Sequence, residues 1–373
     1  MRNGVLSRSE NNVQICLVGN PENRRVRDFQ TAAEGLGFDR PRCVGWLELL
    51  NDRDRALTRV ADAELIRIDS PGEDDDVLHQ LIHLGGGNGR LAFGEIGFLP
   101  QQYHGFCQAL DWLSNLDMSF QNSPADIQVM FDKWSSHERF AATGIPRPAT
   151  WLAPESPEAL RDSRSAWCSA NSGRLFLKPR YASSASGVCA YRWSHGREQL
   201  IAPIEIQRDR GAVRLYNSLR VRQYTSFENI DAILERLLRQ GMIVERWIRK
   251  ARGPNGQFDL RVLVIGGEAR HLVVRQSHHP MTNLHLGNRR GSIDEVRDAF
   301  GENLLNACTR LAERATACFP NSLYAGVDIL VPAKGEPLVC EINAFGDLLP
   351  NLTHRGETTY EAILNAPHPC GTS

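Results

Sequence analysis

Two apolar runs late in the chain, Ala325–Val331 and Pro337–Ile342, constrain the fold more than any other feature. They are separated by a short turn-prone stretch and read as a β-hairpin. Glu341 and Asn343 are two apart, so they share one face of a strand, and Ile342 points to the other face, toward a core. If Val331 pairs with Leu338, Asp328 lies directly opposite Glu341. Facing carboxylates repel and destabilise a hairpin, and a cation between them reverses that sign. Carboxylate and amide oxygens with no soft donor suit Mg²⁺. An exposed strand face with two solvated acids accounts for the same residues.

Upstream, Leu175-Phe-Leu-Lys178 reads as a strand ending in a cation. The small-residue loop Tyr181–Gly187, with Ser183, Ser184 and Ser186, follows it. Such a loop lets backbone N–H groups approach phosphate oxygens, and the lysine adds a point charge. A surface loop beside a chance lysine reads the same way. Met242–Ile248 is a strand broken by Glu245, suited to lining an adenine slot or to forming a sheet edge. Asp259 and Arg261 share one face of a strand that turns at Gly266-Gly267 and returns to Arg275. With a strict two-residue turn, Arg275 falls on the opposite face from Arg261; it joins the same site only if a bulge intervenes. Asp259 with Arg261 also reads as a surface ion pair.

The remaining chain supplies context. Val13–Val18, a helix over Arg24–Leu36 and a strand near Arg42–Trp46 give a β-α-β start, and hence a parallel sheet. Gly19 after the first strand and Gly85-Gly86-Gly87 lack phosphate-loop spacing and read as turns. Ser123 caps a helix beginning at Pro124, and Asp132-Lys133 opens a second helix ending at Gly144. Residues 199–224 read as a long hairpin, Phe227–Arg239 as a helix, and Ile293–Phe319 as one helix. His278, His279 and His285 fit no zinc spacing, and Met281–Asn288 reads as a polar loop closing over substrate. The nine cysteines form no CxxC pair, which points to a reducing, cytoplasmic setting. Met1–Asn12 has no apolar signal core, and no run is long enough to span a bilayer. A formal net charge of −1 gives no bulk attraction to nucleic acid or membrane.

Taken in order, Asn122-Ser-Pro…Asp132-Lys133…Thr143-Gly-Ile-Pro-Arg-Pro, Lys178, Ser183–Gly187, Glu245–Ile248, Asp259-Leu-Arg261, Asn283-Leu-His285-Leu-Gly287 and Ala325-Gly-Val-Asp328…Glu341-Ile-Asn343-Ala resemble the ATP-grasp superfamily. The branch they resemble is that of RimK-like ligases and glutathione synthetases, over about Asn122–Leu349. The resemblance implies an α/β chain with a pre-ATP-grasp domain over residues 1–121 and an ATP-grasp domain over 122–373. The latter divides into a first lobe, 122–250, with a lid and the inserted 199–224 hairpin, and a second lobe, 251–373, with the metal site.

Further implications follow from the resemblance. ATP phosphates would meet Lys133, Lys178, Ser183, Ser184, Ser186 and Gly187. The adenine hinge would be Glu245, Arg246, Trp247 and Ile248, with Asp259 also on the nucleotide side. Mg²⁺ would sit on Asp328, Glu341 and Asn343. Arg261, Arg275 and Asn283 would serve the chemistry. The implied activity is a carboxylate–amine or carboxylate–thiol ligation through an acyl-phosphate, on a small-molecule or peptide carboxylate with an amine acceptor. Dimers are common in such families. A small-molecule kinase or an idle nucleotide- or peptide-binding module on the same fold are the alternatives. Ala344-Phe-Gly-Asp347 departs from the Ser-Pro-Gly usual after the metal motif.

Overall fold

The first apolar run becomes β1 (Ile15–Gly19), buried at every position. The computed structural model describes residues 13–169, 171–346 and 352–367. Met1–Asn12, Asp347, Leu349 and Cys370 lie outside the described residues. Strand β1 pairs in parallel with β2 (Arg42–Gly45) and β3 (Leu65–Ile68), and β3 with β4 (Ser119–Phe120). Helices α1 (Arg24–Gly35), α2 (Trp46–Asn51), α3 (Arg53–Ala61), α4 (Asp75–Leu84) and α5 (Leu99–Ser114) complete this α/β layer. Helix α6 (Pro124–Phe131) starts with Ser123 Oγ accepting Asp126 N, and α7 (Lys133–Ala142) with Asp132 accepting Trp134 N. Those caps satisfy N–H groups that the first helical turn leaves unpaired.

A six-stranded sheet follows, in the order β5-β10-β6-β7-β8-β9. Its strands are β5 (Thr150–Leu152), β6 (Ser172–Pro179), β7 (Cys189–Ser194), β8 (Arg197–Asp209), β9 (Ala212–Tyr224) and β10 (Met242–Arg246). Helices α8 (Pro157–Trp167) and α9 (Phe227–Leu238) cover it. Strands β8 and β9 form the long hairpin expected over 199–224, with a register break between Ala202 and Ile204.

The last sheet runs β14-β13-β12-β15-β16, with β11 (Arg252–Gly253) paired to β12. It contains β12 (Gly256–Ile265), β13 (Glu268–Ser277), β14 (Arg289–Gly291), β15 (Tyr324–Leu330) and β16 (Leu338–Asn343). The helix expected over Ile293–Phe319 is two helices, α10 (Ile293–Phe300) and α11 (Glu302–Thr316). Gly301 separates them at φ 83°, a conformation a side chain disfavours. A short helix α12 (Thr359–Leu364) packs near α1. Among the described residues no helix is long and apolar enough to cross a membrane.

Burial divides the chain unevenly. One core joins β1, β2, α5, α6 and α7 to β12, β15, β16 and α11. A second links Phe29 and Ala33 of α1 with Leu263, Tyr324 and Tyr360. The sheet containing β5–β10 has its own core with α8 and α9. A cleft runs between that unit and the last sheet.

Candidate functional site

Register places the charged residues. In the β15–β16 hairpin Leu330 pairs with Leu338, one residue off the expected Val331–Leu338 pairing. A bulge at Cys340 then restores alignment, so Asp328 does face Glu341. The β12–β13 hairpin has the bulge that Arg275 required. The ladder slips between Leu263 and Val264, and Arg275 ends opposite Asp259. Arg261 pairs with Asp328 on the other side of β12. Arg261, Asp328 and Glu341 thus form one row across three strands, with Arg275 and Asp259 in the next.

These residues and the facing sheet line a cavity of about 120 Å³. Lys133, Lys178, Ser183, Ser184, Ser186, Glu245, Arg246, Ile248, Asp259, Arg261, Arg275, Asn283, Asp328, Glu341 and Asn343 all reach it. Gly187 and Trp247 are not in the lining. Gly187 packs behind the loop at φ 67°, where an added Cβ would stand 2.8 Å from Pro179. Trp247 packs its ring 5.2 Å from that of Phe176. Ser184 and Ala185 turn the small-residue loop at φ 55° and 62°, both left-handed without being glycine.

The three lysines of the cleft are each paired with a carboxylate. Lys133 Nζ lies 3.0 Å from Glu341 Oε1 and donates to Ala182 O. Lys178 Nζ lies 2.7 Å from Glu245 Oε2, and His137 Nε2 is 3.2 Å from Oε1 of the same carboxylate. Burial raises the Glu245 carboxyl, but Lys178 and His137 outweigh it and hold it at about 2. Asp259 Oδ1 receives Arg275 Nε at 2.8 Å, and Oδ2 receives Lys250 Nζ at 2.8 Å and the Thr282 hydroxyl. Asp259 is therefore saturated by protein donors and lies well below the usual carboxylate range: burial raises it, and Arg275 and Lys250 outweigh burial. Asn283 spends its Oδ1 capping a 3₁₀ turn at His285 N.

The Asp328–Glu341–Asn343 set tests whether a hard cation fits. Asp328 Oδ1 is buried without a well-aligned hydrogen bond, although Arg261 Nε stands 2.6 Å away and Arg275 Nη1 3.1 Å. Burial pushes the Asp328 carboxyl up, and facing Glu341 adds to this against the two arginines. Burial also raises Glu341, but Lys133 and Lys178 bring it below its ordinary value. Asn343 Nδ2 donates to Gly326 O at 3.3 Å, which orients its amide. Among the described residues no group of three or more His, Cys, Asp or Glu is placed to hold a metal; here two carboxylates are completed by an amide. An oxygen-only set of two carboxylates and an amide suits Mg²⁺.

Two residues of the site entered no sequence expectation. His137 had a signal: it stands four residues after Lys133, on the same helix face. Lys250 had none, because its contacts to Asp259 and Thr282 arise only when β11 folds back on β12.

Solved structures similar to this chain include a synthetase, a synthase and a ligase. D-cycloserine synthetase DcsG matches with a TM-score of 0.58 and 14% identity, over 94% of this chain and 98% of that one. A carboxyaminoimidazole ribonucleotide synthase from Aspergillus clavatus, complexed with ATP, matches at 0.55 and 14%, over 96% and 78%. The D-alanine–D-alanine ligase of Bacillus anthracis matches at 0.55 and 10%, over 95% of both chains. At such identities the likeness is one of fold, and that fold is ATP-grasp. Within it, residues 202–354 match the family model of the RimK-like ATP-grasp domain, so the chain carries such a domain. No curated protein matched the chain in sequence.

Proposed function

We propose that this chain is an ADP-forming carboxylate–amine ligase that uses ATP and Mg²⁺. The observation that carries the reading is a single cleft in which Lys133 and Lys178 meet the Asp328–Glu341–Asn343 set and the Arg261–Arg275 pair. The cavity is smaller than the roughly 300–1,000 Å³ of ordinary ligand sites, and the Lys133–Glu341 and Lys178–Glu245 ion pairs lie in its lining. A nucleotide with its cation offers both sides of each bridge a new partner. The two lysines turn to phosphate oxygens, and Asp328, Glu341 and Asn343 provide oxygens for Mg²⁺, which would neutralise phosphate charge when bound. Arg246 and Ile248 line the side suited to adenine, with Glu245 accepting from its amine.

The substrate carboxylate takes the phosphoryl group and leaves ADP. Arg261 and Arg275 are placed to neutralise the acyl-phosphate and the oxyanion formed when an amine attacks. No enzyme nucleophile is needed, and the thiol nearest the chemistry, Cys340, is pushed up by burial to about 11, which keeps it protonated. The substrates in this reading are a small-molecule or peptide carboxylate and an amine acceptor, in a cytoplasmic setting.

The test is a screen of amino acids and short peptides for ADP and free phosphate release, with mass spectrometry of the product. An amide formed with loss of water between two substrates supports the proposal. ADP with a stable phosphoester makes the protein a kinase. Nucleotide binding without turnover for any acceptor makes it a binding module.

A further inference from the structure

Pro280, Met281, Thr282 and Asn283 form one wall of the cleft. The loop they begin carries hydrogen bonds of its own, and Leu284 packs against the core that contains Phe29 and Tyr360. Asn288 Nδ2 donates to Met281 O at 2.9 Å and to Asn283 O at 2.8 Å, and Gly287 closes the intervening turn at φ 74°. At the cleft end, Thr282 joins this loop to the floor. Its hydroxyl donates to Asp259 and accepts from Lys250 Nζ at 2.7 Å.

Lys250 is held from behind. Its backbone bridges to Pro332, while Ala251 N donates to Val331 O at 2.8 Å and Ala333 N to Arg249 O at 2.7 Å. The ammonium therefore projects from a fixed point at the end of β15, just after the Glu245–Ile248 strand exit. It is buried, and burying an ammonium is unfavourable unless its partners compensate. Charge balance on Asp259 does not require it, since Arg275 already donates there. Lys250, Arg261 and Arg275 are three cations around two carboxylates, Asp259 and Asp328. The extra cation is the one that also reaches the loop.

We propose that Lys250 is a positioning residue: with Asp259 and Thr282 it clamps the Pro280–Asn288 loop against the cleft and holds that wall in place over bound Mg·ATP. The nucleotide part rests on the ligase reading; the clamp itself does not. Lys250 touches the loop and the floor, so its removal loosens the wall and leaves Lys133, Lys178 and the Asp328–Glu341 pair in place.

The full-length chain and its Thr282→Val, Lys250→Met and Lys250→Arg variants are compared by hydrogen–deuterium exchange and by calorimetric titration with Mg·ATP. Thr282→Val keeps shape and removes the hydroxyl, so it serves even if Lys250→Met fails to fold. Exchange over residues 280–288 is expected to speed up about tenfold or more in Thr282→Val and Lys250→Met, with β15 and β16 unchanged. Mg·ATP affinity falls several-fold in the same two variants, and Lys250→Arg recovers part of both. Unchanged exchange over 280–288 in Thr282→Val overturns the clamp, whatever the nucleotide result. Faster exchange with unaltered Mg·ATP affinity overturns the part of the proposal that links the loop to nucleotide. Failure of the wild-type chain to bind Mg·ATP counts against the ligase reading and leaves the exchange comparison as the test of the clamp.

Discussion

Replacing Lys178 by Met separates two roles of one cation. Its ammonium is 2.7 Å from Glu245, on the neighbouring strand, and Glu245 is only 3% exposed. The Glu245 carboxyl sits at about 2 against an ordinary 4.5. At ~1.4 kcal/mol per tenfold in proton affinity, that gap amounts to roughly 3 kcal/mol of native stability. The folded value lies below the unfolded one, so the contribution is complete above pH 4.5 and disappears as pH falls from there toward 2. Lys178→Met leaves the carboxylate with His137 alone. We expect a loss of about 2–4 kcal/mol at pH 7, near the range for breaking a buried pair, and a much smaller difference from wild type at pH 3. The double variant Lys178→Met/Glu245→Gln regains most of that stability, because no unpaired charge is left buried. Mg·ATP affinity is expected to stay low in both variants, since both lack the cation proposed to meet phosphate. Urea unfolding at the two pH values, followed by nucleotide titration, provides the measurement. A single variant within about 0.5 kcal/mol of wild type at pH 7, or a double variant no more stable than the single, refutes the pairing argument.

Other consequences are simpler to state. Glu341→Gln and Asn343→Ala should each abolish Mg²⁺-dependent ADP release while the far-ultraviolet circular dichroism stays unchanged; residual turnover near wild type removes them from the metal set. Ala185→Gly relieves a left-handed alanine in the cleft loop and should stabilise the chain by about 0.5–1 kcal/mol in thermal melts, after the glycine entropy is deducted; a loss of stability contradicts the turn geometry. Burial, with His354 nearby, lowers the buried His271 below 6.5. Its folded value lies under its unfolded one, so wild-type stability should fall as pH drops through 6.5, and His271→Asn should flatten that slope. Equal slopes in both proteins exclude His271 as the source.

Much of this site could be read along the chain because strand periodicity carries side-chain direction. Glu341 and Asn343 on one face needed only alternation. The Asp328–Glu341 pairing was reached through a register one residue off at the turn, and a bulge at Cys340 compensated. Bulges depend on packing between strands, which no single segment encodes, and this is why Arg275 stayed conditional. Gly301 breaks a helical pattern whose apolar spacing continues past it, so periodicity ran on where backbone conformation stopped. Lys250, His137 and the saturation of Asp259 depend on contacts among separate segments. The resemblance to a family supplied order along the chain, and the geometry supplied partners.

The distribution of cores bears on how the chain is made. Residues 150–246 form a sheet whose apolar neighbours all lie close in sequence, apart from Ile96, which packs against it. That stretch can condense as soon as it leaves the ribosome. The N-terminal layer cannot finish: Val18, Phe106 and Ile127 share their core with Leu260, Val327 and Ile342. Until those late strands emerge, much of its apolar surface waits without a partner, in a form open to chaperones and to aggregation. Truncations that stop before β16 should therefore misfold at the beginning of the protein, more than two hundred residues from the cut.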